Sequence, residues 1–93
     1  MRAIWNDTIL ADSDDTSVVE GNHYFPASVL DSALIEPSEH SSVCGWKGTA
    51  SYYDVVVNGE RNHNAAWYCP DPMDGAEHVR DRVACWNDVR VVD

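Results

Sequence analysis

The dipeptide Asn58-Gly59 constrains the fold of this chain most strongly, because it is a preferred sequence for a two-residue β-hairpin turn. A two-residue loop at this point predicts three facing pairs on the flanking strands: Ala50 with Trp67, Tyr52 with Ala65, and Asp54 with His63. Side chains alternate between the two faces of a strand, so the first two pairs share a face, each with a large residue opposite a small one. This pattern predicts a packed face, while the opposite face, with Tyr53 and Asn62, is more polar.

The remaining turn signals divide the chain into short, β-rich runs. We predict strands at residues 2–5, 8–12, 17–20, 23–25, 32–35, 82–86 and 89–92. One helical turn is expected at 26–30, a polar loop at 36–42, and one short helix near residues 74–81. A chain of 93 residues holds a single core. The sequence therefore predicts one mainly β, antiparallel domain spanning residues 1–93.

The charge of the chain is strongly acidic. Sixteen acidic residues face six basic ones, which gives a net charge of −10, and Lys47 is the single lysine. A carboxylate-rich surface stays hydrated in concentrated salt, where a Debye length of about 3 Å at 1 M screens the self-repulsion. We therefore expect a halophilic protein. The absence of a basic stripe predicts that neither nucleic acid nor an anionic membrane is a partner.

The cysteines and the N-terminus predict a reducing compartment. Cys44, Cys69 and Cys85 are odd in number and form no Cys-x-x-Cys pair. The N-terminal residues contain no apolar core long enough for a signal peptide. No apolar run approaches the roughly 18 residues of a membrane span. We therefore expect a cytoplasmic protein with reduced thiols.

Several segments resemble a known family. They are residues 11–13, 20–21 and 24–26, then 44–53, then 64–72. The segment from Cys44 to Tyr52 is similar to a Cys-Pro-Trp-Lys-Gly-x-Ala-x-Tyr pattern, with Gly45 in place of the proline. The order and spacing of these segments resemble domain of unknown function family 427 over nearly the whole chain. The resemblance implies a small antiparallel fold of the Mss4-like or β-tent type and, because the family has no established reaction, little about activity.

Two sets of residues contain the side-chain types that bind metal ions. Zinc knuckles of β-tent proteins use paired Cys-x-x-Cys motifs, and His40, Cys44, Cys69 and Cys85 lack that spacing. The three cysteines are better explained as small buried hydrophobic residues. Metal-dependent nucleotidyl transfer needs carboxylates beside a phosphate cradle. Asp12-Ser13-Asp14 supplies the carboxylates, but no glycine-rich loop precedes it, and a solvated turn explains it better. We predict no metal and no cofactor.

Lys47 is the most informative single residue for function. It is retained between Trp46 and Gly48 in a chain with no other lysine, which indicates a constrained position. It can form an ion pair with Glu20 or present a cation to an anionic ligand. The aromatic residues expected to line such a pocket are Tyr24, Trp46, Tyr52 and Trp67. The alternative is that these rings form the solid core of a small domain.

Three functional hypotheses follow. The first is a binding domain for an anionic small molecule or peptide, with a site made of Glu20, Tyr24, Cys44, Trp46, Lys47, Tyr52 and Trp67. The second is an enzyme in which Lys47 favours the thiolate of Cys44 and the general base comes from His40, His23 or Glu20. The third is a structural or interaction domain without a cavity. Neither the ligand nor the oligomeric state follows from the sequence.

Overall fold

The computed structural model describes residues 1–44, 48–70 and 79–93, with the backbone alone at Cys44. Its strands are β1 (Arg2–Trp5), β2 (Thr8–Asp12), β3 (Ser17–Val19), β4 (Asn22–Pro26), β5 (Ile35–Cys44), β6 (Gly48–Val57), β7 (Glu60–Tyr68), β8 (Arg82–Cys85) and β9 (Arg90–Val92). Two short 3₁₀ turns, Ala27–Val29 and Ser32–Leu34, separate β4 from β5. The mainly β prediction is confirmed.

The strands form two antiparallel sheets. One has three strands in the order β2-β1-β9, and the other has six in the order β3-β4-β8-β7-β6-β5. The larger core includes side chains from both sheets, among them Ala3 and Leu10 from the small sheet and Phe25 and Val55 from the large one. A second core cluster is formed by Val19, Tyr24, Ala50, Cys69, Val79 and Ala84. The larger sheet therefore contributes to two apolar clusters.

Two predictions between β4 and β6 are wrong. Residues 32–34 form a 3₁₀ turn instead of a strand, because the Asp31 carboxylate accepts a hydrogen bond from the Ala33 N–H and caps the turn. Residues 36–42 belong to β5 and not to a loop. Strand β5 is the edge of the six-stranded sheet, with a register irregularity between Pro37 and Ser41. Polar residues and proline are typical of an edge strand, which explains why this segment looked like a loop.

The short helix predicted near residues 74–81 falls mainly on residues 71–78, which lie outside the described residues. The described part begins at Val79, whose side chain is fully buried in the second core cluster. Arg80 and Asp81 follow as an exposed turn before β8.

The Asn58-Gly59 turn is confirmed, but the register of the strand pairing shifts at positions farther from the turn. Near the turn Val57 faces Glu60, as a two-residue loop requires. Beyond a bulge, Tyr52 faces Trp67. The predicted Ala50–Trp67 and Tyr52–Ala65 pairs are therefore wrong. Because the shift is of two residues, Trp67 keeps the face of Tyr52, as predicted.

The bulge moves Ala65 to the larger core, where it joins Ala66. Tyr53 and Tyr68 are partly buried and also pack against that core, so the face predicted to be more polar makes apolar contacts as well.

The Asp54 carboxylate holds this bulge. Asn64 adopts a left-handed backbone conformation with φ 56°, which asparagine tolerates better than most residues. Its N–H donates to Asp54 Oδ1 at 2.9 Å. Arg61 donates to Asp54 Oδ2 at 2.9 Å, and His63 Nδ1 lies 3.4 Å from the same oxygen. Asp54 therefore binds three groups of β7 and fixes the point where the pairing shifts.

Burial and these contacts act in opposite directions on the pKa of Asp54. Burial alone would raise its pKa, but the hydrogen bonds from the Asn64 N–H and from Arg61 favour the charged form. The charges of His63 and Arg61 add to this effect, and the pKa is lowered overall. Asp54 is the one buried charged residue among those described, with 8% of its surface exposed.

Candidate functional site

An aromatic row crosses the larger sheet on the side of the second core cluster. Tyr52 on β6 faces Trp67 on β7, and Trp67 faces Ala84 on β8. Tyr24 lies on β4, which pairs with β8 through the neighbouring Phe25. Ala84 is small and fully buried, so the rings of Tyr24 and Trp67 meet across it.

The Tyr24 and Trp67 rings make a direct polar contact. Trp67 Nε1 donates to Tyr24 Oη at 3.1 Å. The rings pack edge to face, with centroids 6.2 Å apart and an interplanar angle of 88°, a favourable arrangement for an aromatic pair. Tyr24 is fully buried and Trp67 half-buried. The contact fixes one edge of the indole while leaving part of it accessible.

Removing the Tyr24 hydroxyl tests this contact. We expect Tyr24→Phe to lower the free energy of unfolding by about 1–2 kcal/mol, because the partly buried indole N–H of Trp67 loses its acceptor. Tyr52→Phe is the matched control. Its hydroxyl pairs with Ser42 Oγ at 2.9 Å in an exposed position, and we expect a cost below about 0.5 kcal/mol. Urea unfolding of both variants measures the difference, and equal costs would contradict the role of the Tyr24 hydroxyl.

Trp86 extends the row into an open hollow. Its ring packs edge to face on Trp67, with centroids 5.7 Å apart, and 47% of the residue is exposed. A hollow of about 90 Å³ lies between Tyr52, Trp67 and Trp86. We call Tyr24, Tyr52, Trp67 and Trp86 together the aromatic face.

The bulge also positions Trp86. The indole Nε1 of Trp86 donates to the carbonyl of Asn64, and its backbone N–H donates to the carbonyl of Ala65. The Asn64 side chain in turn accepts a hydrogen bond from Ser38 Oγ on β5. Asn64 therefore links the register shift to one wall of the hollow. Trp86 was not among the predicted site residues, although it lies two residues after the inward-facing Ala84 and therefore on the same face of the strand predicted at residues 82–86.

The structure brings together three of the predicted site residues, Tyr24, Tyr52 and Trp67. Glu20 forms the β3–β4 turn with Gly21, both at positive φ, and its side chain is exposed. Strand β5 ends at Cys44, which pairs with Gly48 at the start of β6. The Cys44 side chain, Trp46 and Lys47 lie outside the described residues.

The family of the chain follows from comparison with known proteins. A family model described as Domain of unknown function (DUF427) matches residues 1–93, the whole length. The chain belongs to DUF427. The resemblance inferred from its sequence segments is therefore confirmed. No curated protein matches this DUF427 chain.

The described cysteines of this DUF427 domain are buried in its two core clusters. Cys69 lies in the second cluster and Cys85 in the larger one. Burial raises the pKa of Cys85 to about 12, so its thiol stays protonated and unreactive at neutral pH. Within residues 1–44, 48–70 and 79–93, no three His, Cys, Asp or Glu side chains are close enough to hold a metal ion.

The Asp12-Ser13-Asp14 segment is an exposed end of the small sheet. Asp12 and Asp14 are exposed. Ser13 is tied to the N-terminus, since its N–H donates to the Met1 carbonyl and its own carbonyl accepts from the Met1 amino group. The Ser13 hydroxyl accepts from the Asp15 N–H. These contacts stabilise a solvated turn.

A larger cleft is lined in part by residues of β7 and β8. Its volume is about 270 Å³, and its lining includes Tyr53, Tyr68 and Arg82. The two tyrosine rings stack with centroids 4.8 Å apart. Burial first, and the Tyr68 hydroxyl second, raise the pKa of Tyr53.

Arg82 donates to the Asp15 carboxylate at 3.1 Å and to the carbonyls of Asp15 and Tyr24. The Arg82 guanidinium therefore joins β8 to the β2–β3 connection and to β4.

No helix in the described part of the chain is long and apolar enough to cross a membrane.

Proposed function

We propose that this DUF427 domain binds a small molecule or short peptide segment on the aromatic face, with Lys47 supplying the cation for an anionic group. The observation that supports the proposal is the continuous row from Tyr24 through Trp67 to Tyr52, which ends in an open hollow. The row begins at the fully buried ring of Tyr24 and ends at rings that are partly accessible to solvent. Ligand sites are likewise largely apolar surfaces with a few polar groups.

Lys47 enters the proposal through the sequence. It is the only lysine of a chain with net charge −10, and it precedes Gly48, where β6 begins. An exposed ion pair contributes about 0–1 kcal/mol and a cation over a ring about 0.5–2 kcal/mol. A charge-assisted hydrogen bond to an anion is roughly twice as strong as a neutral one. Ligand binding therefore accounts for the retention of this lysine better than packing does.

The first experiment is a thermal-shift screen in concentrated KCl with a library of small carboxylates, phosphates and short acidic peptides. A ligand present at 100 times its Kd stabilises the native state by about 2.7 kcal/mol. For a domain of this size, such a gain raises Tm by roughly 10–20 °C. We expect at least one anionic compound to give a saturable shift. No saturable shift across the library would contradict the proposal.

The substitution Lys47→Met tests the role of Lys47. It keeps the length and apolar stem of the side chain, so we expect Tm without ligand to change little and the ligand-induced shift to disappear. Lys47→Arg should restore the shift only in part, because a planar guanidinium does not reproduce a point charge. Arg90→Met is the matched control, since Arg90 is an exposed cation on the other sheet. It should retain the full ligand-induced shift.

Two results would contradict the role of Lys47. A fall of many degrees in the Tm of Lys47→Met without ligand would identify Lys47 as a structural support. An unchanged ligand-induced shift in Lys47→Met would show that its ammonium makes no contact with the ligand.

A further inference from the structure

The side-chain N–H and O–H groups of the three residues around the hollow already form hydrogen bonds within the protein. Trp67 Nε1 donates to Tyr24 Oη and Trp86 Nε1 donates to the Asn64 carbonyl. The Tyr52 hydroxyl pairs with Ser42 Oγ. The hollow is consequently lined by ring carbon and is mostly apolar. It offers no indole N–H to an anion, because both indole donors are engaged.

Aromatic rings without free donors attract a cation. The π-face carries the negative end of the ring quadrupole, and tryptophan attracts cations more strongly than tyrosine or phenylalanine. Two tryptophans and one tyrosine meet around this hollow. The whole chain carries a net charge of −10, which raises the local concentration of cations around it. Charge and ring chemistry therefore favour the same kind of ligand.

The kind of cation follows from the lining. A bare ammonium carries three N–H donors that need acceptors, and the hollow provides few polar atoms. A fully alkylated ammonium has no N–H donor and a weaker hydration shell, so an apolar lining suits it. The hollow is small, with a volume of about 90 Å³. It therefore holds a group of a few heavy atoms.

We infer that the hollow between Tyr52, Trp67 and Trp86 binds a small alkylated ammonium group. This inference deepens the proposed function, because Tyr52 and Trp67 belong to the same aromatic face. It adds a second charge preference to that site, so that a ligand carrying both an anionic group and an alkylated ammonium satisfies both. The walls of the hollow are positioned before binding, since Trp67 is held by Tyr24 and Trp86 by Asn64.

Choline and its neutral isostere 3,3-dimethylbutan-1-ol are the probes. They have nearly the same shape and differ in the charge at the quaternary centre. Each is titrated into the full chain at constant ionic strength while the indole N–H signals and the methyl proton signals of the probe are followed by NMR. We expect choline to bind roughly 2- to 30-fold more tightly than the alcohol, which corresponds to a cation–π contribution of about 0.5–2 kcal/mol. The N-methyl protons should shift upfield.

Variants locate the binding. Trp86→Leu should lower the preference for choline, since it removes one of the two indoles of the hollow, and Trp86→Phe should lower it less because it keeps an aromatic ring at this position. Ile9→Ala is the matched control, since Ile9 is 48% exposed on the small sheet and Trp86 is 47% exposed. It should bind choline like the parent chain. Choline carries no anionic group, so its binding is measured without the contact proposed for Lys47, and failure of the anionic proposal and failure of this inference are separate results.

Equal affinity for choline and the alcohol would overturn the inference, because the hollow would then be a merely apolar surface. Absence of any indole shift at saturating choline would overturn it as well. So would a choline preference that is unchanged in Trp86→Leu, since the cation would then bind elsewhere.

Discussion

Asp54→Ala is expected to lower the free energy of unfolding by about 2–3 kcal/mol. The substitution removes a charged hydrogen-bond acceptor and leaves the donors that were bound to it without that acceptor. For a domain of this size the loss corresponds to a fall in Tm of roughly 10–20 °C. The carboxylate is buried and binds Asn64, Arg61 and His63. Urea unfolding at pH 7 measures the effect.

Two variants control for the loss of charge and of size. Asp54→Asn keeps an acceptor for the Asn64 N–H but not the charge, so its cost should be intermediate. Asp12→Ala removes an exposed carboxylate of β2, and its cost should stay within about 0.5 kcal/mol. A cost at Asp54 as small as that at Asp12 would show that the bulge does not depend on this carboxylate.

The pH dependence of the Asp54 contribution has a defined sign. Its pKa in the folded chain is lowered, while in the unfolded chain it is about 3.9. Its stabilising contribution is therefore present above about pH 4 and is lost as the pH falls through the lower folded value. The stability difference between the parent chain and Asp54→Asn should narrow below about pH 4. A difference that does not narrow in acid would contradict the lowered pKa.

The second large effect concerns salt. With a net charge of −10, the folded chain repels itself at low ionic strength, and we expect Tm to rise steadily from about 0.1 to 2 M KCl as the Debye length shortens. Each kcal/mol of relieved repulsion raises Tm by roughly 4–8 °C. A flat or falling curve would contradict the proposed salt adaptation.

A charge-reduced variant separates screening from the general stabilisation that concentrated salt gives to many proteins. Asp7, Asp12 and Asp88 are exposed, and asparagine at these positions keeps the shape of the side chain. Asp7 and Asp88 have positive φ, which asparagine also tolerates. The triple variant should show a shallower rise of Tm with KCl than the parent chain. Equal slopes would mean that charge repulsion is not the cause.

The parts of the fold set by local sequence could be predicted. The Asn58-Gly59 turn has a strong local preference, and Val57 faces Glu60 as expected. The hairpin of β1 and β2 also has its predicted bounds. The register beyond Asp54 could not be predicted, because it depends on a hydrogen bond between Asp54 and Asn64 that period-2 alternation does not encode.

The candidate site was predictable to a similar extent. Alternation placed Tyr52 and Trp67 on one face, and the two-residue shift preserved that result. Trp86 was missed because the carbonyl of Asn64 that holds its indole comes from the unforeseen bulge. The polar segment 36–42 was read as a loop because an edge strand needs little apolar sequence.

The proposal that the aromatic face binds ligand is tested most directly by the tryptophan indole N–H signals in a ¹⁵N-labelled sample. The chain contains four tryptophans, and Trp5 packs against the larger core from the small sheet. Titration with the ligand that gives the largest saturable thermal shift should move the signals of Trp67 and Trp86 and leave that of Trp5 in place. A titration that moves Trp5 while Trp67 and Trp86 stay unchanged would place the ligand elsewhere and contradict the proposal.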